Sequence, residues 1–412
     1  MIYTTLLIIL GMILCVLFTR SQTDGIYIVT ILALYLCGCI TFDETFSGLG
    51  SHSVMLLVFV NVCMCALREA GVFAWIVRHM PQRSKGSSID LLYGMLPSSI
   101  LSAFLFGSIV MPIMIDTLSS WGRRVSHQPS RLILPTCMAI QAASCCTMIG
   151  APGNLIIATL YEEKDPCSLD LFEPCLIGCM ILITTIVTST IMVRLVGVSK
   201  TDYDDIQPDA HTVAKQLPSQ HRTFFAAATF ALAIILSAGG LCDMVLTCGI
   251  AASVLVISGF CTMQQARQAI DVKTITIIAC SAAIGIAMTK SGVSEYIAKA
   301  IIYLGQGQYA YIIIVIALMC TIITQFFNDS FVMTLMTPIG LSAATLVHHD
   351  PLPFIMMILY ASTLSYCTPF GNPAAIIAQS RVGYTVSHFM KIGLPTTIVS
   401  FVVAVTAVLL LY

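Results

Sequence analysis

Residues 368–375 read Thr-Pro-Phe-Gly-Asn-Pro-Ala-Ala and interrupt an apolar segment, residues 353–380, that is otherwise long enough to cross a membrane. Proline lacks a backbone N–H and clashes with the preceding helical turn, and glycine and asparagine are also poor helix formers. The stretch therefore predicts a transmembrane helix that is broken within the membrane, where its freed N–H and C=O groups must find other partners.

The composition is that of an integral membrane protein. Of the 412 residues, 58% are hydrophobic and only 9% are charged, and the mean hydropathy is +0.93. Apolar runs recur at the length of about 17 to 25 residues that a ~30 Å hydrocarbon core requires. We predict an all-α, multi-pass protein of the plasma or inner membrane with ten crossings, which are residues 2–19, 25–41, 52–67, 132–160, 171–193, 223–240, 241–260, 274–289, 353–380 and 387–411.

Two further apolar stretches, residues 89–119 and 309–346, are too long for one crossing. Each carries a polar or glycine-containing break near its middle, Phe106-Gly107-Ser108 in the first and Asn328-Asp329-Ser330 in the second. Irregular backbone at membrane depth is tolerated only where protein or a water-filled cavity surrounds it. We therefore interpret both stretches as re-entrant helical hairpins.

The distribution of basic residues predicts the orientation. When both termini are placed outside, all of the 19 Lys and Arg residues except Lys164, Lys290 and Lys299 fall in loops on the same side of the membrane. Lys and Arg concentrate in cytoplasmic loops, so this side is predicted to be cytoplasmic. Counting either hairpin as a single crossing would move basic loops to the other side.

The chain is predicted to consist of two related halves, residues 1–197 and 223–412, joined by a polar cytoplasmic linker at 198–222. Each half places a hairpin before a broken helix, and Ser108 precedes Gly150 by 42 positions while Ser330 precedes Gly371 by 41. One hairpin enters from the inside and the other from the outside, so the repeats are inverted in topology. Inverted repeats with broken helices near the midplane are typical of secondary transporters.

Several stretches resemble the citrate-transporter-like permeases, the divalent anion:sodium symporter family of the wider ion transporter superfamily. They are TFDETFSGLGSHSVMLLVFVNV at 41–62 with REAGVF at 68–73, SAFLFGSIVMPIMI at 102–115, TMIGAPGNLII at 147–157, TQFFNDSFVMTLMTPI at 324–339, TPFGNPAAII at 368–377 and VGYTVSHFMKIGLP at 382–395. The resemblance implies an elevator-type carrier, usually a homodimer, in which the hairpins and broken helices form the moving transport domain. It implies sodium as the coupling ion and a small anion as the substrate. A proton carried by Asp329 is the alternative coupling ion that the residues themselves leave open, and no other cofactor and no nucleic acid are expected.

The resemblance also implies two sets of site residues. The substrate-binding positions correspond to Gly107, Ser108, Ala151, Asp329, Ser330, Asn372 and Pro373. The cation-binding positions correspond to Ser102, Gly107, Gly150, Thr324, Asn328, Asp329 and Gly371.

The sequence departs from the family pattern at three places. Phe106 and Gly107 remove two polar side chains from the first tip, and Ala151 lacks the usual hydroxyl. Asp329 replaces a neutral asparagine, so it would repel an anion unless a proton or a cation neutralised it.

These features favour a secondary active carrier of small di- or tricarboxylates, or of a similar oxyanion such as sulfate, coupled to sodium or protons. A cation/proton antiporter that uses Asp329 as its exchange site is an alternative, as is a degenerate homologue in which Phe106 plugs the first site. A channel would need a continuous polar pore, which the helical hairpins argue against. An enzyme is the least favoured class, because the sequence shows no Ser/His, Asp/Asp or metal-binding constellation at membrane depth.

Overall fold

The computed structural model describes residues 1–18, 23–72, 75, 87–124, 128–162, 169–197, 220–239 and 242–412. Most of the predicted linker, residues 198–219, lies outside these described residues, as does Lys164. Regular structure in the described part is helical. In the first half the helices are α1 Ile2–Phe18, α2 Thr23–Leu36, α3 Phe42–Phe46, α4 His52–Glu69, α5 Ser87–Phe104, α6 Gly107–Arg124, α7 Pro129–Ala143, α8 Pro152–Glu162 and α9 Cys175–Val196.

The second half contains a longer series of helices. They are α10 Gln220–Ala238, α11 Met244–Ile257, α12 Met263–Ala269, α13 Val272–Lys290, α14 Val293–Leu304, α15 Tyr309–Ile323, α16 Asp329–Leu346, α17 Leu352–Thr363, α18 Pro373–Val382 and α19 Val386–Leu411. Helices α5–α6 and α15–α16 occupy the two stretches predicted as hairpins. Helices α7–α8 and α17–α18 occupy the two predicted broken helices.

In each broken helix, the proline that follows the break starts a helix rather than ending one. Pro152 and Pro373 are the first residues of α8 and α18. A proline is tolerated at this position because its missing N–H would have no intrahelical partner there. The breaks proper are residues 144–151 and 364–372, so TPFGNPAA contains the end of one break and the start of the helix that follows it.

The helices of the two halves interlock around the breaks. Within each half, the first hairpin arm packs on the first part of the broken helix, as α5 does on α7 and α15 on α17. The second parts of the broken helices cross over: α8 packs on α16, and α18 packs on α6. As a result, each hairpin contacts both halves of the chain.

The contacts that join loops and helix ends connect residues that the predicted topology places on the same face of the membrane. On the face predicted to be cytoplasmic, Arg222 donates to the Gly259 carbonyl, Tyr384 donates to the Ser130 carbonyl, and Arg381 pairs with Asp116. On the opposite face, Lys290 pairs with Glu44, His52 lies beside Glu162, and Tyr412 donates to Glu173. Which face is cytoplasmic stays a prediction.

Five helical segments among the described residues are long and apolar enough to cross a membrane alone: Phe42–Glu69, which comprises α3 and α4, and Cys175–Val196, His221–Ala238, Val272–Lys290 and Val386–Leu411. Only 39% of the apolar window of α9 and of α19 is buried, so much of their apolar surface faces outward, as a bilayer requires. The other predicted crossings correspond to shorter helices or to pairs of half-helices. The count of ten crossings therefore stays a prediction.

The segment between the predicted crossing 274–289 and the predicted hairpin 309–346 contains a helix that hydropathy did not predict. Residues 293–304 form α14, which buries Val293, Ala298 and Ile301 and meets α15 at an angle of 116°. Glu295 and Lys299 pair on its exposed side at a spacing of four residues, which supports a helix. The run is amphipathic and shorter than a membrane span, so hydropathy alone did not reveal it.

Candidate functional site

A cavity of about 370 Å³ lies where the two hairpin tips and the two helix breaks converge. It is lined by most of the residues that the sequence singled out as site residues. These are Gly107, Ser108, Gly150, Ala151, Asn328, Asp329, Ser330, Asn372 and Pro373. Residues more than 260 positions apart in the chain thus share one cavity.

The remaining candidates, Ser102, Thr324 and Gly371, lie behind the cavity wall. The Ser102 hydroxyl donates to the Ile140 carbonyl at 2.8 Å, and the Thr324 hydroxyl donates to the Ser362 carbonyl at 2.7 Å. The Gly371 carbonyl accepts the backbone N–H of Asp329 at 3.2 Å. These groups fasten each hairpin tip to the broken helix of its own half.

A second pair of hydroxyls makes the same attachment one residue further along each hairpin. Thr147 donates to the Ala103 carbonyl in the first half, and Thr368 donates to the Gln325 carbonyl in the second. Hairpin carbonyls freed where a helix ends are thereby satisfied by side chains from the neighbouring break.

Two glycines let long outer helices lie directly on the breaks. A Cβ at Gly178 in α9 would lie 2.6 Å from the Cys145 carbonyl oxygen and 2.8 Å from the Cys146 Cα. A Cβ at Gly393 in α19 would overlap the Tyr366 carbonyl. Only glycine permits this approach of helix to backbone.

The second hairpin tip presents a buried carboxylate. Asp329 is 5% exposed, and its Oδ1 accepts the backbone N–H of Ser330 at 2.6 Å and the Ser330 hydroxyl at 3.2 Å. The Asn328 side chain caps α16 by accepting the same N–H at 2.9 Å. A charged group buried at such depth is typical of an ion-binding function.

The first hairpin tip is apolar by comparison. Phe106 is 7% exposed and lines the cavity. A Cβ at Gly107 would lie 3.0 Å from the Ile140 Cγ2 and 3.3 Å from the Ala374 Cβ. The packing of α6 against α7 and α18 therefore leaves little room for a side chain at position 107.

Four helix N-termini border the cavity. Helices α6, α8, α16 and α18 begin at Gly107, Pro152, Asp329 and Pro373, and all four of these residues line the cavity. Helix N-termini carry partial positive charge and free N–H groups, which favour anions. The preceding helices α5, α7, α15 and α17 end at the same breaks, and the partial negative charge of their C-terminal ends favours cations.

Sequence reasoning missed several lining residues, among them Tyr27, Gln141, Ser144, Lys273 and Phe370. Gln141, near the end of α7, donates to the Ser365 hydroxyl in the second break and so connects the two halves. The Tyr27 hydroxyl lies 3.3 Å from the Thr334 hydroxyl in α16. A glutamine within the apolar run 132–160 was a signal that could have identified Gln141, whereas nothing in the local pattern distinguishes Tyr27.

Comparison with known proteins agrees with this architecture. The family model for the citrate transporter matches residues 13–247 and 232–412. The chain belongs to the citrate transporter family. It is therefore an integral, multi-pass membrane protein of a family of transporters, which are not enzymes.

Individual relatives match only part of the chain. Sodium/sulfate cotransporter 1 of Chlamydomonas reinhardtii is 29% identical over 30% of this chain and 14% of its own length. The uncharacterized transporter YfbS of Escherichia coli is 26% identical over 42% of this chain and 28% of its own length. The matched segments thus span less than a third of each of these relatives.

A solved structure covers nearly the whole chain. The YdaH transporter of Alcanivorax borkumensis aligns with 94% of this chain and 88% of its own, with a TM-score of 0.63 and 12% sequence identity. At this identity the likeness concerns the fold alone.

Proposed function

We propose that the protein is a secondary active transporter of a small organic anion, a di- or tricarboxylate or a similar oxyanion such as sulfate, coupled to sodium or protons. The observation that carries the proposal is the convergence of four helix N-termini and the polar groups of Ser108, Ser330 and Asn372 on one cavity. Such N-termini bind anions through backbone N–H groups, without a fixed positive side chain.

Asp329 is proposed to hold the coupling cation. An unneutralised carboxylate in a buried anion site is unfavourable. A sodium ion or a proton at Asp329 would remove the repulsion, so the anion binds well only together with its cation. The names of three Chlamydomonas relatives, sodium/sulfate cotransporters 1 and 2 and probable sodium/sulfate cotransporter 3, favour sodium.

The cavity favours an organic anion over sulfate. Its volume of about 370 Å³ falls in the range of roughly 300–1,000 Å³ that is usual for organic ligands. Five phenylalanines line it: Phe106, Phe326, Phe327, Phe331 and Phe370. A carboxylate with a carbon skeleton would use these walls, whereas sulfate would not.

Inverted repeats and an elevator motion are part of the proposal. Their support is the matched set of contacts in the two halves, Ser102 with Ile140 and Thr324 with Ser362 among them. A homodimer in the plasma or inner membrane, with both termini outside, completes the proposal. Its oligomeric state can be measured by light scattering of the detergent-solubilised protein.

The proposal is tested by uptake of labelled succinate, citrate and sulfate into proteoliposomes under imposed sodium or proton gradients. We expect gradient-driven uptake of at least one carboxylate, exceeding that of sulfate. If no anion accumulates under either gradient, the proposal is wrong.

The buried carboxylate of Asp329 favours one second candidate, a cation/proton antiporter. In that case a sodium gradient would drive proton flux across the proteoliposome membrane without any organic substrate. A pH-sensitive dye inside the vesicles distinguishes the two functions, since a symporter moves protons only when its anion is present. A degenerate homologue would show neither flux.

Replacing Phe106 with asparagine is expected to strengthen carboxylate binding several-fold. The substitution restores a polar side chain to the first tip, and a hydrogen bond to a charged group contributes about 1.5–3 kcal/mol before losses in packing. The single substitution is preferable to a double change, because an asparagine at 107 would press on Ile140. The measurement is the KM of uptake, with Phe106→Leu as the control, because leucine keeps an apolar side chain at the tip and adds no hydrogen bond. An unchanged KM for Phe106→Asn would show that the first tip makes no contact with the substrate.

A further inference from the structure

The Gln325 side chain bridges the second hairpin and the second break. It lies two residues beyond the end of α15 and is half-buried. Its Nε2 donates to the Thr321 carbonyl at 2.8 Å within the hairpin arm and to the Leu364 carbonyl at 2.9 Å in the break. Its Oε1 accepts the Cys367 N–H at 3.1 Å. A primary amide has two N–H donors and one carbonyl oxygen, so both donors and the acceptor of Gln325 are engaged.

The first half holds its break in a different way. The residue of the first hairpin whose carbonyl accepts a threonine hydroxyl from the break, as that of Gln325 does, is Ala103, which has no polar side chain. There the Asn154 amide of α8 donates to the Ser144 and Thr147 carbonyls at 2.9 and 2.8 Å. An amide thus ties the first break to the helix that follows it, whereas an amide ties the second break to the hairpin beside it.

The end of the second break lies directly beside the second hairpin tip. The backbone N–H of Asp329 donates to the Gly371 carbonyl at 3.2 Å. The next residue, Asn372, caps α18 by accepting the Ala374 N–H at 2.6 Å. The carboxylate proposed to hold the cation is therefore a neighbour of a helix N-terminus proposed to bind the anion. Because the attraction between opposite charges falls with their separation, the position of the break decides how strongly a bound cation favours a bound anion.

We propose that Gln325 is a positioning residue that fixes the second break beside Asp329 and thereby sets how strongly the coupling cation raises the affinity for the anion. The inference rests on the proposed symport and adds to it a residue outside the cavity lining. Without the bridge, fewer bonds would hold the break to the hairpin, and the α18 N-terminus would no longer keep a fixed distance from Asp329. The two ligands would then bind more independently. Because such coupling is reciprocal, each ligand would lose the same factor in its effect on the other.

The test is the ratio of two dissociation constants for the anion, one at low and one at saturating concentration of the coupling cation. Both are measured by calorimetric titration of the detergent-solubilised protein, with whichever of succinate, citrate and sulfate the wild-type protein accumulates most strongly. Gln325→Met keeps a side chain of similar length and removes the three hydrogen bonds of the amide. Replacing residues that carry coupling typically changes it by about 2- to 30-fold, so the ratio should fall toward one by such a factor.

Two further variants accompany this substitution. Thr368→Val removes only the hydroxyl that donates to the Gln325 carbonyl, and it should lower the ratio by about twofold. Gln379→Met is the matched control and should leave the ratio unchanged. Gln379 is a half-buried glutamine of α18 that does not line the cavity, and no described residue hydrogen-bonds to its side chain.

The outcomes separate a positioning role from a purely structural one. An unchanged ratio in a folded Gln325→Met variant, or an equal fall in Gln379→Met, would overturn the role of Gln325 and leave the proposed transport intact. A loss of anion affinity that is equal at both cation concentrations would also overturn it, because Gln325 would then only support the fold. If Gln325→Met does not fold, an unchanged ratio in Thr368→Val overturns the inference. If the wild-type protein moves no anion under any gradient, the proposed function and this inference both fail.

Discussion

Replacement of Gly371 by alanine is expected to abolish transport and to lower the stability of the protein. A Cβ at this position would overlap the carbonyl oxygen of Thr324 and the Cβ of Ser365. Both obstacles are parts of the backbone or atoms attached directly to it, so neither can rotate away. Overpacking of this kind typically destabilises by about 1–3 kcal/mol, and sometimes more.

The loss of transport has a local cause as well. The Gly371 carbonyl accepts the Asp329 N–H, so a displacement of the break also moves the second tip, where the cation is proposed to bind. Thermal unfolding in detergent measures the stability, and uptake measured well below the unfolding temperature reports transport by the folded protein.

Gly11→Ala is the matched control for this substitution. Gly11 lies within α1, and a Cβ there would meet no atom within 4 Å. Alanine is a better helix former than glycine by about 0.5–1 kcal/mol, so this variant should be as stable as the wild type or slightly more so, with normal uptake. If the two glycine variants behaved alike, the close approach of the break to the hairpin would have no functional importance.

Replacement of Asp329 by asparagine is expected to reduce coupled uptake by about tenfold or more while leaving the protein folded. The amide oxygen of asparagine can still accept the Ser330 N–H that Asp329 accepts now, and the Asn328 cap of α16 is untouched. The variant loses the negative charge that attracts a cation into the site. The variant should therefore lose coupled uptake while its thermal stability stays close to that of the wild type.

Uptake under separate sodium and proton gradients identifies the coupling ion. If Asp329 carries a proton, Asp329→Asn loses the pH dependence of uptake; if it binds sodium, the variant loses the stimulation by sodium. Asp116→Asn is the control, because Asp116 lies away from the cavity and pairs with Arg381 at 3.4 Å on the surface. Such exposed pairs contribute about 0–1 kcal/mol. Unchanged uptake with unchanged pH and sodium dependence in Asp329→Asn would rule out a coupling role.

Much of the local structure could be predicted from the sequence. The positions of the hairpin breaks and of the broken helices agree with the sequence to within a few residues, because proline and glycine act on the backbone of their own neighbourhood. The candidates Ser108, Asp329 and Asn372 do share a cavity. By contrast, Ser102 and Thr324 lie behind its wall. The sequence could not show this, because it does not tell which side of a helix faces the cavity.

Hydropathy and chain-breaking residues determined the class of the protein and the places where its helices are interrupted, because both effects act over a few residues. Only the tertiary structure decided that α8 and α18 cross to the opposite hairpins, that Gln141 connects the two halves, and that Lys273 lines the cavity. These features depend on which helix faces pack together over distances of hundreds of residues, and local propensity carries no information about that choice.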